Sequence, residues 1–129
     1  MIADSSAVVA VMLREPGYER LAEHLDGALT IGIGAPTLVE TGIVLASRAG
    51  GAGSAELARF VRERHVIVIP FGNDHRIAAL EAFLRYGKGR HPARLNFGDC
   101  MSYATARLAG EPLLCIGNDF AQTDLPLVS

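Results

Sequence analysis

The sequence predicts an α/β layered domain with a mostly parallel sheet. Short aliphatic, β-branched runs alternate with helix-length segments along the whole chain. Several helical segments open at proline or hydroxyl residues, and two close at Gly50 and Gly110. At 129 residues, 50% hydrophobic and 20% charged, residues 1–129 fit one domain that can build a core without disulfides.

The elements follow in order. Met1 to Asp4 reads as a very short strand, and Ser5-Ser6 cap a helix over Ala7–Leu13. Pro16 suits the first turn of a second helix, with Glu19, Arg20, Glu23, His24 and Asp26 on its wet face and Tyr18, Leu21, Ala22 and Leu25 on its dry face. The apolar segment Ala7–Leu13, with Leu21 and Leu25, suits core, dimer face or partner groove equally. Leu29–Ile33 is a strand, and Pro36 opens a helix through about Ala49 that Gly50-Gly51 ends. Ser54 to Arg64 is amphipathic, with Leu57, Ala58 and Val61 inward. Val66–Ile69, closed by Pro70, reads as a buried strand. Asn73 caps a helix to about Tyr86, and a Gly- and cation-rich loop runs from Gly87 to Arg94. Asp99 to Ala109 is helical and ends at Gly110; Leu113–Ile116 is a buried strand, and Leu127-Val128 a last edge strand.

Composition narrows the function classes. Cys100 and Cys115 are too few for a disulfide scaffold, lie in no CxxC motif and suit buried fillers. No apolar run reaches a membrane span and no leader pattern opens the chain, so a soluble cytoplasmic protein is expected. A net charge of −2 argues against a general nucleic-acid coat but leaves room for a local basic patch. His24, His65 and His75 show no metal-ligand spacing, and Arg76 and Arg107 suit surface or salt-bridge positions.

The informative feature is the placement of four acids. Asp4 is the only charge between Met1 and Leu13, Glu40 between Ala28 and Ser47, Asp99 between Leu95 and Ala106, and Asp119 between Pro112 and Thr123. A carboxylate in an apolar segment is costly unless it is paired, hydrogen-bonded or bound to a metal. None has a cation within reach along the chain. Asp4 and Asp119 follow strands, and open parallel sheets build their sites beyond the strands' carboxyl ends. Clustered carboxylates repel one another, and a hard divalent ion, Mg²⁺ or Mn²⁺, relieves that repulsion. Singly, Asp99 also reads as a helix cap and Asp4 and Asp119 as turn residues; Glu40 has no such reading. Together they point to metal-dependent phosphodiester or phosphate chemistry.

These segments resemble a known family. Met1-Ile2-Ala3-Asp4-Ser5-Ser6-Ala7, Pro36-Thr37-Leu38-Val39-Glu40, Leu95-Asn96-Phe97-Gly98-Asp99-Cys100 and Leu113 through Phe120 are similar, in order and spacing, to the four acidic motifs of PIN-domain ribonucleases, specifically VapC-type toxins. The resemblance implies a PIN-like α/β/α sandwich, a Mg²⁺- or Mn²⁺-dependent endoribonuclease, a homodimer and a cognate VapB-type antitoxin. It implies catalytic roles for Asp4, Glu40, Asp99 and Asp119, with Asp4, Asp99 and Asp119 as metal ligands and Glu40 placed to bind through water. Ser6 and Asn118 are supporting residues. Relatives often carry a second acid where this chain has Asn118, so Asn118 and Asp124 are alternatives to Asp119 for completing the metal shell. Lys88, Arg90, His91 and Arg94 form a basic cluster just before Asp99 and are expected to contact RNA phosphates.

Two other readings stay open. One is a different acidic-pocket phosphatase or nuclease, although a phosphoenzyme phosphatase would want an acid where this chain has Ser6. The other is a catalytically silent PIN-like module that binds RNA or an antitoxin.

Overall fold

The computed structural model describes residues 1–128. Four short parallel strands, β1 (Ile2–Ala3), β2 (Gly32–Gly34), β3 (Ile67–Ile69) and β4 (Leu113–Leu114), lie in the order β3-β2-β1-β4. Six helices flank them: α1 (Ser5–Met12), α2 (Tyr18–Gly27), α3 (Ala35–Ala49), α4 (Gly51–Glu63), α5 (Asn73–Tyr86) and α6 (Phe97–Ala109). A 3₁₀ turn covers Phe120–Gln122.

Strand alternation builds the layers. Side chains of successive strand residues point to opposite faces. Ile2 and Leu113 accordingly join one core, with Ala82, Tyr86, Tyr103 and Ala104 of α5 and α6. Ala3 and Leu114 join the other, with Ala7 and Val8 of α1, Leu25 of α2, Leu45 of α3 and Phe60 of α4. The result is the expected α/β/α sandwich. The apolar segment of α1 and Leu25 are core; Ala7, Val8, Val9 and Ala10 are all buried. Gly34 lets α6 lie against β2, because a Cβ there would stand 2.6 Å from Thr105 Oγ1.

The strand order fixes where a site forms. The chain steps outward from β1 to β2 to β3, then returns to the other side of β1 for β4. The carboxyl ends of β1 and β4 therefore adjoin at the point where the order reverses. Ile2 pairs with Leu113 and Ala3 with Leu114, and the Asp4 N–H donates to the Leu114 carbonyl at 2.9 Å.

Several local expectations shift. Asp4 itself caps α1, its side chain accepting from Ser6 N–H, so Ser5-Ser6 begin the helix. Helix α2 starts after Gly17, which adopts φ 89°, so Pro16 lies before the helix. Leu29 is fully exposed and β2 begins only at Gly32. Strand β3 is an edge strand, not a buried one: it pairs only with β2, and Ile67 and Val68 are 54% and 44% exposed. Its apolar run reads as buried because composition cannot reveal a missing neighbour. Gly72, rather than Asn73, is the cap of α5, and its N–H donates to His75 Nδ1 at 3.2 Å. Leu127 forms an isolated parallel bridge to Leu113, as expected of an edge segment.

Candidate active site

Asp4 is the buried centre of the site, only 3% exposed. Its Oδ2 accepts the Ser6 N–H at 3.1 Å and the Ser6 hydroxyl at 2.6 Å. Its Oδ1 accepts the Ser102 hydroxyl at 2.5 Å. Ser6 Oγ in turn accepts the Ile116 N–H at 3.1 Å, tying the exit of β4 to the start of α1. The two hydroxyl bonds to Asp4 are the short, charge-assisted kind that fix a carboxylate's orientation.

Asp99 is set by a reciprocal cap. Helix α6 starts at Phe97, so Asn96 is the cap and Asp99 lies in the first turn. The Asp99 N–H donates to Asn96 Oδ1 at 2.9 Å, and the Asn96 N–H donates to Asp99 Oδ2 at 3.0 Å. Asn96 rather than Asp99 is therefore the cap, and Asp99 closes the capping box from inside the first turn. Glu40, on α3, packs against Gly98: a Cβ there would run into the Glu40 carboxylate. Glycine at 98 thus leaves room for the Glu40 carboxylate in its present position, and any side chain there would push it aside.

The electrostatics tie the four acids together. The Asp99 carboxyl is pushed up to about 6, first by burial and then by the charges of Asp4, Asp119 and Glu40, against the opposing effect of the Asn96 N–H. Cys115 adjoins the same charges, and burial followed by Asp4, Asp99 and Asp119 pushes its thiol up to about 12. Cys115 is thus half-buried at the edge of the site rather than simple core filler, whereas Cys100 is buried.

The acids are less buried than their apolar segments suggest. Only Asp4 is buried; Glu40 and Asp99 are half-buried, and Asp119 is exposed. Among the described residues, no three His, Cys, Asp or Glu side chains stand as a ready-made ligand group. The four acids offer oxygen donors alone, the ligand type that suits hard ions such as Mg²⁺ or Mn²⁺.

Asp124 drops out as a ligand. It accepts the Tyr103 hydroxyl at 2.6 Å and Arg107 at 2.8 Å, with Arg85 at 3.6 Å. The Tyr103 bond first, then Arg107, hold its carboxyl below the usual range. Asn118 is exposed, and its carbonyl receives Gln122 Nε2 at 3.5 Å. The same Nε2 lies 3.5 Å from the Pro92 carbonyl, linking the Asp119 segment to the basic loop. In that loop Lys88, Arg90 and Arg94 are exposed. His91 is not free for RNA on both sides: it is half-buried, its Nδ1 accepts the Ala93 N–H at 3.0 Å, and its ring meets Tyr86 edge-on at 5.1 Å.

Three residues escaped the sequence reading: Asn96, Ser102 and Thr37. Ser102 follows Asp99 by one helical turn, and Thr37 precedes Glu40 on α3. Hydroxyl residues at helical spacing in otherwise apolar helices (Thr37 and Thr41, Ser102 and Thr105) were the available signal.

Residues 1–125 match the family described as PIN domain. Ribonuclease VapC36 of Mycobacterium tuberculosis is 50% identical over 126 residues, covering 97% of this chain and 91% of that one. Among solved structures, M. tuberculosis VapC20, described as a Sarcin-Ricin loop cleaving toxin, superposes with a TM-score of 0.81 at 20% identity, covering 98% of this chain and 97% of that one. VapBC2 of Rickettsia felis, bound to a promoter DNA fragment, gives 0.76 at 14% identity, covering 98% and 96%. At such identities the structural likeness speaks for the fold.

Proposed function

The chain belongs to the PIN domain family, among its VapC ribonucleases, and we propose that it is the toxin of a type II toxin–antitoxin pair that cleaves RNA at the Asp4–Glu40–Asp99–Asp119 pocket. The observation that carries the reading is the buried Asp4 carboxylate at the adjoining carboxyl ends of β1 and β4, held by Ser6 and by Ser102 of α6, the helix that also carries Asp99, whose carboxyl feels the charges of Asp4, Asp119 and Glu40. Such a concentration of negative charge is what a site for a divalent cation and a phosphodiester needs.

Asp4 and Asp99 would hold Mg²⁺ or Mn²⁺, with Asp119 completing the shell and Glu40 bound through water. When bound, the ion offsets the carboxylates' charge and stabilises charge developing on a phosphoryl oxygen. Ser6 and Ser102 fix the two oxygens of Asp4, and Asn96 fixes Asp99. Glu40 orients the attacking water and accepts its proton. Lys88, Arg90 and Arg94 contact flanking phosphates, with salt-dependent strength.

The partners are an RNA substrate, a VapB-type antitoxin and a second copy of the chain, in the cytoplasm. No described helix is long and apolar enough to cross a membrane. The homodimer reading comes from the family resemblance and is supported by exposed apolar side chains: Val39 and Ile43 of α3, Leu80 and Leu84 of α5, and Phe97. Leu80 and Phe97 line a groove of about 640 Å³ together with Pro36, Phe71, Phe83 and Met101. Exposed apolar side chains grouped around a groove suit an interface. Leu80→Glu should give a monomer by sedimentation.

Purified protein, free of antitoxin, should cut a mixed RNA pool with Mg²⁺ or Mn²⁺, stop in EDTA, and lose cutting in Asp99→Asn. Cleavage unaffected by EDTA or by that substitution would overturn the reading.

A further inference from the structure

We infer that Thr37 and Ser102 form a hydroxyl relay that positions the Asp4 carboxylate and sets the pocket's affinity for its divalent cation. This rests on the proposed cation site, and neither residue touches the substrate in the mechanism above. Both are positioning residues.

Four hydroxyl residues are buried between α3 and α6 or against β2: Thr37, Thr41, Ser102 and Thr105, each at most 2% exposed. Two of them serve their own helices. Thr41 donates to the Thr37 carbonyl at 2.8 Å, and Thr105 donates to the Met101 carbonyl at 2.9 Å. Such back-bonds are local. Ser102 differs, because its hydroxyl leaves the helix and donates to Asp4 Oδ1 at 2.5 Å.

Hydrogen counting gives the relay its direction. A serine hydroxyl has one hydrogen, and that of Ser102 is committed to Asp4. In the 3.2 Å contact between Thr37 Oγ1 and Ser102 Oγ, Thr37 must therefore donate. The chain runs Thr37 O–H to Ser102 Oγ, then Ser102 O–H to Asp4 Oδ1. A second chain mirrors it: Ile116 N–H to Ser6 Oγ, then Ser6 O–H to Asp4 Oδ2. Each carboxylate oxygen is thus held by a hydroxyl that is itself held. Hydrogen bonds in such chains polarise and strengthen one another. The arrangement fixes the plane of the carboxylate: Oδ2 accepts both the Ser6 N–H and the Ser6 hydroxyl, while Oδ1 accepts Ser102 alone and keeps a lone pair for the pocket. It also couples α3, which carries Glu40, through α6, which carries Asp99, to Asp4.

The test is Mn²⁺ binding by titration calorimetry on the full chain, with steady-state cleavage and thermal melting alongside. Ser102→Ala should weaken Mn²⁺ binding about tenfold or more, the usual effect of losing a partner that orients a metal ligand. It should lower kcat at saturating Mn²⁺ with KM for RNA little changed. Thr37→Val keeps the shape, removes the donor and should weaken binding by a smaller factor. Because Thr37 acts through Ser102, the double variant should bind no more weakly than Ser102→Ala alone. Thr105→Ala is the control: it removes a buried hydroxyl from the same helix and should lower the melting temperature without moving Mn²⁺ affinity. If Ser102→Ala or Thr37→Val folds and binds Mn²⁺ as the wild type does while melting lower, as Thr105→Ala does, the hydroxyls only pack and the relay is wrong. If Asp4→Asn also binds Mn²⁺ as the wild type does, the cation site itself is wrong.

Discussion

Replacing Asp99 with Asn should stabilise the cation-free protein at neutral pH. The carboxyl is raised from its ordinary 3.8 to about 6, by burial first and by Asp4, Asp119 and Glu40 after it. Below pH 4 both folded and unfolded chains carry the proton and the group costs nothing. Between pH 4 and 6 the folded chain holds the proton while the unfolded chain loses it, so folded stability falls as pH rises. Above pH 6 both are ionised and the loss is constant. At about 1.4 kcal/mol per unit the full shift is worth ~3 kcal/mol. Solvent reaches this half-buried group, and screening brings the expectation to ~1–2 kcal/mol. Asn keeps an acceptor for the Asn96 N–H, so the cap survives. In urea unfolding with EDTA, Asp99→Asn should exceed the wild type by ~1–2 kcal/mol at pH 7.5, roughly 5 °C in melting temperature. The two should converge at pH 4. Saturating Mn²⁺ should reverse the order, because a ligand at a hundred times its Kd adds about 2.7 kcal/mol to the form that binds it. An advantage that does not vary with pH, or a wild type more stable in EDTA at pH 7.5, would refute the mutual repulsion.

Three further outcomes are expected. Gly98→Ala should cut cleavage by about a hundredfold, since its methyl displaces Glu40 and small misplacements cost that much; melting should change little. Asp124→Ala should retain cleavage but lose about 1–3 kcal/mol of stability at neutral pH, because the Tyr103 hydroxyl loses its acceptor. Asp124's carboxyl is held low, so its contribution is present at neutral pH and fades as acid protonates it; the gap from wild type should narrow in acid titrations. Lys88→Ala combined with Arg90→Ala should raise KM for RNA, leave kcat near wild type and flatten its salt dependence by about two phosphate contacts.

Much of this was legible in the sequence because two periodicities and one anomaly were unambiguous. The strand–helix alternation fixes the layers, and Gly50 and Gly110 end α3 and α6 as expected. The four acids stood out because nothing around them was charged, and the charges of Asp4, Asp119 and Glu40 all bear on the Asp99 carboxyl. Burial was harder to read: Asp119 lies in an uncharged segment yet is exposed, since a turn after β4 faces solvent whatever its neighbours are. Val68 looked internal because a β-branched run does not say how many strands flank it. Asp124 looked like a spare ligand because its partners, Tyr103 and Arg107, arrive from α6 across the fold. Ser102 was invisible as a site residue for the same reason: its acceptor, Asp4, is 98 positions away.

The central claim is that four carboxylates from four segments act as one cation-dependent site. Single-turnover cleavage of one defined RNA fragment tests it most directly, with Mn²⁺ present, in Asp4→Asn, Glu40→Gln, Asp99→Asn, Asp119→Asn and the Asp4→Asn/Asp99→Asn pair. The account predicts that Asp4→Asn and Asp99→Asn each abolish cutting in folded protein, that the pair is no worse than either, and that exposed Asp119 costs least. Cutting at the wild-type rate by folded Asp4→Asn, or losses that multiply in the pair, would contradict it.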